Sequence, residues 1–445
     1  MKLGDGLWQA GVVSTTLQRV VIVGGSLAAM RAAETLRQIG FTGSIAMVSA
    51  EDHLPYDRPP LSKQVLDGRW EPERTALRRP DVIEELAVDW HLGVSASGLD
   101  LDERRIALST DEVIEFDGLI IATGASTRTL PASVTEQLSD AGPAVVELRT
   151  LDDAVALRDL IAAGDRRVVV IGAGFIGLEV AAAARRLGNH TVVIEAGPAP
   201  LMRGLGAEMG SAVAAVHTDA GTDLRCGAQV SGIDDRGVTI HVGHTTEVID
   251  ADVVVVGIGV APNTRWLQGS GLVLDDGVVC DAYLNAGAPL VYAAGDVVRW
   301  PNGLFDETMR IEHWSNAAEQ GALAARNLMA DAGLGEVERE PYAAVPFFWS
   351  DQYDHRIQFL GRAGGVDDEV VQVVLGSVEE RSFVALYGSA GRLRGVLGLN
   401  RPRQTMPYRR LLEDRISFDE AVAFAAEQAA AEVAAAAQQA EQQQQ

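Results

Sequence analysis

The chain is poor in cysteine: Cys226 and Cys280 are the only two among 445 residues. They lie far apart, so they form neither a C-x-x-C redox pair nor a zinc-binding cluster, and no metal site is predicted. Long apolar runs are also missing, since none approaches the ~20 residues that a membrane helix needs. The residues after Lys2 do not lead into an apolar core, as they would in a signal peptide. A cytoplasmic protein without a membrane partner is therefore expected.

Positive charge is scarce as well. The net charge is −25, which disfavours nucleic acid and anionic membranes as partners. The balance of 47% hydrophobic and 22% charged residues is that of a globular protein. A chain of this length exceeds one hydrophobic core, so two or three domains are expected.

Two segments share the order strand, glycine turn, helix, strand. The first covers residues 20–48, and the second covers residues 167–195. About one domain length separates them. This duplication predicts an α/β fold with two Rossmann-like, doubly wound dinucleotide-binding domains.

The second segment carries the clearer glycine motif. Gly172 permits the tight turn, Gly174 lets the backbone approach a pyrophosphate, and Gly177 lets helix and strand pack closely. The helix that starts there presents free N–H groups to phosphates. Glu195 closes the next strand and can bind the adenosine ribose while repelling a 2′-phosphate, which predicts NADH rather than NADPH. Arg203 lies past the strand end and is given little weight.

The first segment carries a looser motif. Gly24 is followed by Ser26 and Ala29 where the rule has glycines, and both are small enough for a close approach. The acidic residue after the second strand is Glu51, with Asp52 as the alternative. A purely structural role is the competing interpretation of this unit, and the second nucleotide motif in the chain argues against it.

The pattern changes near both ends of the chain. Residues 1–17 form a leader without clear periodicity. Residues 341–416 contain short aromatic and β-branched runs, which predict an antiparallel sheet domain. Within it, Phe347, Phe348 and Trp349 are expected in the core. Ser417 and Glu420 form a capping-box pattern that opens a helical tail.

Further motifs beyond the glycine turns form a recognisable set. They are Pro55–Lys63, Ala122–Gly124, Arg149, Gly257–Asn263, Ala294–Asp296, Arg310–Trp314 and Phe348–Gln352. Together they span roughly residues 19–415. The set resembles the FAD-dependent ferredoxin reductases that serve bacterial Rieske dioxygenases and haem monooxygenases.

This resemblance implies a glutathione reductase-like fold plus a C-terminal α+β sheet domain. The FAD-binding domain is expected in two segments, 18–130 and 261–340. An NAD-binding domain at 131–260 is inserted between them. The sheet domain at 341–416 and the tail at 417–445 follow.

The resemblance also implies site residues. Lys63, Glu179 and Trp314 are expected to be catalytic, with Lys63 near the flavin N5 and paired with Glu179. Asp296 is expected at the ribityl chain. The full FAD set is Gly24, Ser26, Ala28, Ala29, Glu51, Arg58, Lys63, Ala96, Thr123, Gly124, Arg149, Gly295, Asp296 and Trp314. The NAD set is Gly172, Gly174, Phe175, Ile176, Gly177, Glu179, Glu195 and Gly259.

The function implied is a ferredoxin–NAD(+) reductase that takes a hydride from NADH onto FAD and passes single electrons to a [2Fe-2S] ferredoxin. Residues 60–63 contain no cysteine that would divert the electrons to a disulfide. An NADH oxidase or quinone-type reductase is one alternative. A redox switch resembling apoptosis-inducing factor is the other.

An acidic protein that docks an acidic carrier needs local positive charge. The expected docking residues are Arg310, Arg401, Arg403, Arg409 and Arg410. Solvated arginines without a docking role are the alternative. A homodimer is among the oligomeric states compatible with the sequence.

Overall fold

The computed structural model describes residues 17–364 and 369–443, with side chains described up to residue 434. The predicted leader at 1–17 lies almost wholly outside these residues. The strands are β1 (Arg19–Val23), β2 (Ser44–Val48), β3 (Val88–His91), β4 (Ala96–Asp100), β5 (Arg105–Leu108), β6 (Val113–Glu115), β7 (Gly118–Ile121), β8 (Ala125–Thr127), β9 (Ala144–Glu147), β10 (Arg167–Ile171), β11 (His190–Glu195), β12 (Asp223–Cys226), β13 (Ala228–Asp234), β14 (Gly237–Val242), β15 (Thr245–Asp250), β16 (Val253–Val256), β17 (Val260–Pro262), β18 (Val278–Val279), β19 (Asn285–Ala288), β20 (Val291–Ala293), β21 (Val298–Asn302), β22 (Glu307–Met309), β23 (Phe347–Gln352), β24 (His355–Gly361), β25 (Val370–Ser377), β26 (Ser382–Ser389) and β27 (Arg392–Leu399).

The α-helices are α1 (Leu27–Gln38), α2 (Pro80–Glu85), α3 (Ala132–Thr135), α4 (Leu151–Ile161), α5 (Phe175–Arg186), α6 (Met202–Asp219), α7 (Trp314–Asp331), α8 (Pro402–Thr405), α9 (Tyr408–Glu413) and α10 (Phe418–Gln443). A π-helical turn occupies Leu61–Val65. None of the helices within the described residues is both long and apolar enough to cross a membrane.

The chain forms two compact units, each built from three segments. The first unit contains the described residues of Met1–Tyr56 together with Ala76–Ala125 and Pro262–Ala343. The second unit comprises Asp57–Thr75, Ser126–Ala261 and the described residues of Ala344–Gln445.

The first unit is organised around a six-stranded sheet in the order β19-β20-β7-β1-β2-β3. All neighbours are parallel except β19, which runs antiparallel to β20. The β1 residues Val20–Val23 are buried, which is typical of a central parallel strand. Helices α1 and α7 touch at Gly321, where a Cβ would lie 2.2 Å from the carbonyl oxygen of Ala28. A glycine is required for that helix contact.

The second unit contains a parallel five-stranded sheet in the order β12-β11-β10-β16-β9. In the first unit β1 lies between β2 and β7, and in the second unit β10 lies between β11 and β16. Each of these strands therefore has the next strand of the sequence on one side and a much later strand on the other. In an open α/β sheet, ligands bind at the carboxyl end of such a strand. The two predicted βαβ units are confirmed as strand, turn, helix and strand.

The second unit also contains the C-terminal antiparallel sheet, in the order β23-β24-β27-β26-β25. The predicted capping box before α10 is confirmed, because the Glu420 carboxylate accepts the Ser417 N–H at 2.8 Å and the Ser417 hydroxyl accepts the Glu420 N–H. Phe347, Phe348 and Trp349 are half-buried rather than core residues. The reason is that β23 is an edge strand of its sheet.

Candidate functional site

The glycine turn of the second unit has the geometry of a phosphate cradle. Gly172 has a φ of +108°, and a Cβ there would lie 2.3 Å from the carbonyl oxygen of Gly257. A Cβ on Gly177 would lie 2.1 Å from the carbonyl oxygen of Gly172, so α5 packs directly on the turn. At Gly174, in contrast, no atom lies within 4 Å of the Cβ position. The start of α5 is thus open to a pyrophosphate.

Glu195 lies beside this turn. Its Oε2 accepts the Ala173 N–H at 2.8 Å, and its Oε1 accepts the Gly197 N–H at 2.7 Å. These two bonds fix the carboxylate at the end of β11. Arg203 lies close to the predicted Gly259, with Nη1 3.6 Å from the Cβ position of that glycine. A cation therefore lies near this predicted NAD-site residue.

The two residues between the glycines, Phe175 and Ile176, have different surroundings. Ile176 is 49% exposed. The ring of Phe175 packs edge-on against Phe348, with 4.6 Å between ring centroids. This contact joins the glycine turn to the edge strand β23.

The glycine turn of the first unit repeats the geometry of the other turn. Gly24 has a φ of +132°, and a Cβ there would lie 2.0 Å from the carbonyl oxygen of Ala122. Ser26 occupies the N-cap of α1 in an extended conformation. Ala29 is fully buried in the place of the third glycine. The looser motif thus builds the same tight turn.

The two acidic candidates after β2 differ in their contacts. The Tyr56 hydroxyl donates to the carboxylate of Glu51. The carboxylate of Asp52 lies against Gly93, with Oδ1 2.1 Å from the Cβ position of that glycine. Both carboxylates lie at the carboxyl edge of the first sheet, and the choice between them stays a prediction.

Gly295 brings a further element to the start of α1. It has a φ of +83°, and its Cβ position lies 3.3 Å from the side chain of Ala28. Its N–H donates to Gln320 Oε1 at 2.9 Å. Gln320 is fully buried, and its Nε2 has no hydrogen-bond partner in the described part of the chain. A narrow turn with an orphaned buried donor fits a bound dinucleotide, so these residues fit FAD. Sequence reasoning missed Gln320.

The other predicted FAD residues fall in both units. In the first unit, Thr123 and Asn263 exchange hydrogen bonds of 2.9 Å, which fix the turn at Gly124. Ala96 begins β4, and Trp314 begins α7 with 40% of its surface exposed. Arg310 donates to the Asp296 carbonyl at 3.2 Å.

Two predicted FAD arginines lie in the second unit. Arg58 Nη1 donates to the carbonyl oxygen of Arg149 at 2.6 Å. The Arg149 N–H donates to Asp153 at 3.0 Å, just before the capping box of α4. The two arginines are thus held together.

Lys63 and Glu179 form the buried ion pair that the resemblance implies. The Lys63 Nζ lies 2.7 Å from Glu179 Oε2, and the exposed fractions of the two side chains are 8% and 3%. Lys63 also donates to the Pro59 carbonyl at 3.1 Å. Ser62 donates to the same Oε2 at 2.5 Å. Loss of one partner of such a buried charge pair strongly destabilises the folded protein, because the remaining charge is buried and uncompensated.

Three further residues surround this pair, and none of them was assigned a role from the sequence, although Ser350 and Gln352 lie within the motif Phe348–Gln352. Ser350 Oγ donates to Glu179 Oε1 at 2.5 Å, and Gln352 Nε2 donates to Ser350 Oγ at 3.1 Å. His217 Nε2 lies 2.8 Å from Gln352 Oε1. The signal in the sequence was the spacing of two residues, which places the polar side chains of Ser350 and Gln352 on one face of a strand. The structure shows that both are fully buried.

The stability of the protein should depend on His217 below neutral pH. Burial, with a contribution from His355, lowers the pKa of His217 to about 4, although its hydrogen bond to Gln352 acts the other way. Below pH 6.5 the unfolded chain binds a proton that the folded chain excludes. Stability attributable to His217 therefore falls by about 2 kcal/mol between pH 7 and pH 5 and levels off below pH 4.

Urea unfolding at pH 7 and pH 5 checks this prediction. Carboxylates titrate in the same range, so the wild type is compared with His217→Gln, which should lose less stability over this interval. His244→Gln, at an exposed loop position, is the matched control and should behave as wild type. Equal pH dependence in wild type and His217→Gln would contradict the prediction.

The two cysteines hold neutral thiols. Cys280 is buried, and burial raises its pKa. Cys226 pairs with Glu195 across β11 and β12, and burial together with that carboxylate raises its pKa. Neither thiol is activated as a nucleophile.

Comparison with known families covers most of the chain. A family model described as pyridine nucleotide-disulphide oxidoreductase matches residues 18–321. A second, described as reductase C-terminal, matches residues 347–434. The junction between the two matches falls where the sequence pattern changes near residue 341.

Individual proteins show the same similarity. Rhodocoxin reductase of Rhodococcus erythropolis is 37% identical over 398 residues, covering 88% of this chain and 89% of that protein. The ferredoxin–NAD(+) reductase component of the anthranilate 1,2-dioxygenase system of Burkholderia cepacia is 36% identical over 397 residues, with coverages of 88% and 93%. The covalent putidaredoxin reductase–putidaredoxin complex superposes with a TM-score of 0.81 at 33% identity, covering 90% of this chain and 94% of that chain.

Proposed function

Because this chain belongs to the pyridine nucleotide-disulphide oxidoreductase family and, within it, to the ferredoxin–NAD(+) reductases, we propose that it reduces a [2Fe-2S] ferredoxin. The electrons would come from NADH by way of FAD and would pass to the ferredoxin one at a time. That ferredoxin would serve an oxygenase, as the names of the relatives indicate for their own systems. The single observation that carries the proposal is the duplicated glycine turn, in which Gly24 and Gly172 both have a positive φ and a backbone carbonyl oxygen at the position of a Cβ.

The chain uses FAD and NAD(H). Bound FAD supplies the conversion between two-electron hydride transfer and single-electron transfer. For FAD, we assign the turn at Gly24, the Gly295–Asp296 turn and the orphaned amide of Gln320. For NADH, we assign the turn at Gly172 and the carboxylate of Glu195.

Lys63 has the electrostatic role in this proposal. Its ammonium is held at a fixed position by Glu179 and by the Pro59 carbonyl. A fixed cation stabilises negative charge that develops during hydride transfer without reorganising at that moment. Hydride transfer itself needs no general base. The proposed reaction is therefore compatible with a neutral His217.

Steady-state kinetics test the proposed acceptor. NADH-dependent reduction of cytochrome c should rise at least about tenfold when a [2Fe-2S] ferredoxin is added, because the carrier lowers the barrier for electron exit. The matched control is the same ferredoxin without its cluster. Equal rates with and without the carrier would indicate an NADH oxidase or quinone-type reductase. Negligible turnover with a long-lived reduced flavin would indicate a redox switch.

The predicted docking arginines differ in how free their charges are. Arg310 is bound by Asp276 at 3.1 Å and Glu312 at 2.6 Å, with only 11% of its side chain exposed. Arg401 is paired with Glu432 at 3.2 Å. Arg409 packs over the Phe347 ring. These three charges are largely engaged within the protein.

Arg403 and Arg410 are the better docking candidates. Arg403 is exposed and makes no ion pair within the described residues. Arg410 has 76% of its side chain exposed and contacts Asp414 at 2.9 Å. Met406, 37% exposed, lies between them in sequence. An exposed apolar residue with basic neighbours suits an acidic partner protein.

Arg403→Gln should slow ferredoxin reduction several-fold at low ionic strength and have little effect at high ionic strength, where exposed charges are screened. Ferredoxin titrations at two salt concentrations measure this. Arg236→Gln is the matched control, since Arg236 is 71% exposed elsewhere in the same unit and should not affect the rate. A loss that persists at high salt would contradict a docking role.

A further inference from the structure

The carboxylate of Glu179 is the end of a buried chain of hydrogen bonds. Ser350 Oγ lies 2.5 Å from Glu179 Oε1, and Gln352 Nε2 lies 3.1 Å from Ser350 Oγ. Gln352 Oε1 lies 2.8 Å from His217 Nε2. Ser350, Gln352 and His217 are all fully buried. The chain therefore joins the ion pair to a histidine without any exposed member between them.

The chain of hydrogen bonds continues beyond His217 to Tyr353 and Thr222. The Tyr353 hydroxyl lies 3.4 Å from His217 Nδ1, and Thr222 Oγ1 lies 3.0 Å from that hydroxyl. Tyr353 is half-buried. The polar chain thus runs from the partly exposed Tyr353 to the buried Glu179.

The donors and acceptors allow one direction for this chain. A carboxylate only accepts, so the Ser350 hydroxyl donates to Glu179 and its oxygen must accept from Gln352 Nε2. The Gln352 oxygen then faces His217, which must carry its proton on Nε2. The bare Nδ1 accepts from the Tyr353 hydroxyl. Every hydrogen in the chain points towards Glu179.

This direction requires a neutral His217. Burial lowers its pKa to about 4, so the ring is neutral at physiological pH. The titratable groups that face it are Tyr353, whose pKa is raised by burial, and His355. The charge state and the geometry of the chain therefore agree.

The chain restricts the orientation of the Glu179 carboxylate. Lys63 and Ser62 are bonded to Oε2, whereas Ser350 is bonded to Oε1. Rotation of the carboxylate would break bonds on both oxygens. Because Lys63 follows the position of Oε2, its ammonium is held through the same chain.

We propose that Ser350, Gln352 and His217 are positioning residues, which act through Glu179 to hold the Lys63 ammonium where it assists hydride transfer from NADH. The inference rests on the proposed role of Lys63. It extends the reaction centre into the C-terminal sheet, because Ser350 and Gln352 both lie on β23. This sheet would then have a function in the first half-reaction, besides any in carrier docking.

The test compares Ser350→Ala, Ser350→Thr and Tyr387→Phe as holoenzymes. Tyr387 is the matched control: its buried hydroxyl donates to the Leu205 carbonyl at 2.8 Å from the same sheet, apart from the chain. Ser350→Ala should slow flavin reduction at saturating NADH by about tenfold, the equivalent of one hydrogen bond to a charged group, with NADH affinity changed less than about twofold. Its flavin midpoint potential should become more negative. Ser350→Thr should recover most of the rate.

Each outcome bears on a separate claim. An unchanged rate in Ser350→Ala, or an equal loss in Tyr387→Phe, would overturn the positioning role. Gln352→Met keeps the side-chain length and breaks the chain one bond further away, so it should reproduce the slow reduction if Ser350→Ala does not fold. If Lys63→Met left flavin reduction unchanged, the role of the ion pair would fail and this inference with it. If Lys63→Met slowed reduction and the chain variants did not, only the chain would be refuted.

Discussion

Replacing Lys63 by methionine should lower the free energy of unfolding by about 3–5 kcal/mol, because it leaves the buried carboxylate of Glu179 without its cation. The same change should slow flavin reduction by NADH about 10- to 100-fold, as expected for the loss of one fixed electrostatic group. Urea unfolding measures the first effect. Stopped-flow absorbance of the bound flavin at saturating NADH measures the second.

The double variant Lys63→Met/Glu179→Leu separates the two effects. Removing both charges of a buried pair is often neutral for stability, so this variant should regain most of the unfolding free energy. It should remain slow in flavin reduction, because the cation is still absent. Recovery of the rate along with stability would mean that Lys63 has only a structural role.

Replacing Gly24 by alanine should yield protein that no longer retains FAD. The residue has a φ of +132°, and the new Cβ would lie 2.0 Å from the backbone oxygen of Ala122. The backbone conformation alone costs about 1–3 kcal/mol for a residue other than glycine, and the oxygen that obstructs the Cβ cannot move aside as a flexible side chain would. The turn that faces the pyrophosphate must therefore rearrange. The visible spectrum of the purified protein reports retained flavin.

The control for this change is Gly303→Ala in the same unit. No atom lies within 4 Å of the Cβ position there, and its φ is not in the left-handed region. This variant should keep its FAD. Circular dichroism and reconstitution with added FAD show whether Gly24→Ala remains folded. A folded Gly24→Ala protein with a full complement of flavin would refute the assignment of this turn to FAD.

The sequence predicted the nucleotide-binding elements well because their determinants are local. The apolar run of β10, the glycines after it and the helix that follows obey short-range rules of burial, backbone freedom and helix geometry. The predicted segment 167–195 begins at the first residue of β10 and ends at the last residue of β11. The carbonyl oxygens that enforce the glycine turns belong to Ala122 and Gly257, which directly follow the neighbouring strands β7 and β16, yet the turns could be predicted without them.

Which charged residues are exposed could not be predicted from the sequence in this way. The sequence alone does not show that the surroundings of Arg310 and Arg403 differ. The first is bound by Asp276 and Glu312, whereas the second makes no ion pair within the described residues. Asp276 lies far from Arg310 in sequence, so only the folded chain distinguishes an engaged arginine from a free one.

By itself, the sequence determined that this chain has two glycine turns of the dinucleotide-binding kind and which residues form them, whereas the Lys63–Glu179 pair was expected from the resemblance to ferredoxin reductases. The tertiary structure alone decided that Asp57–Thr75 belongs to the unit that contains Glu179, and that Ser350, Gln352 and His217 complete the surroundings of the pair. The physical reason is the range of the interactions. Backbone turns are set by neighbouring residues, whereas the buried carboxylate of Glu179 accepts hydrogen bonds from residues far away in sequence, here Ser62 and Lys63 in one segment and Ser350 in another.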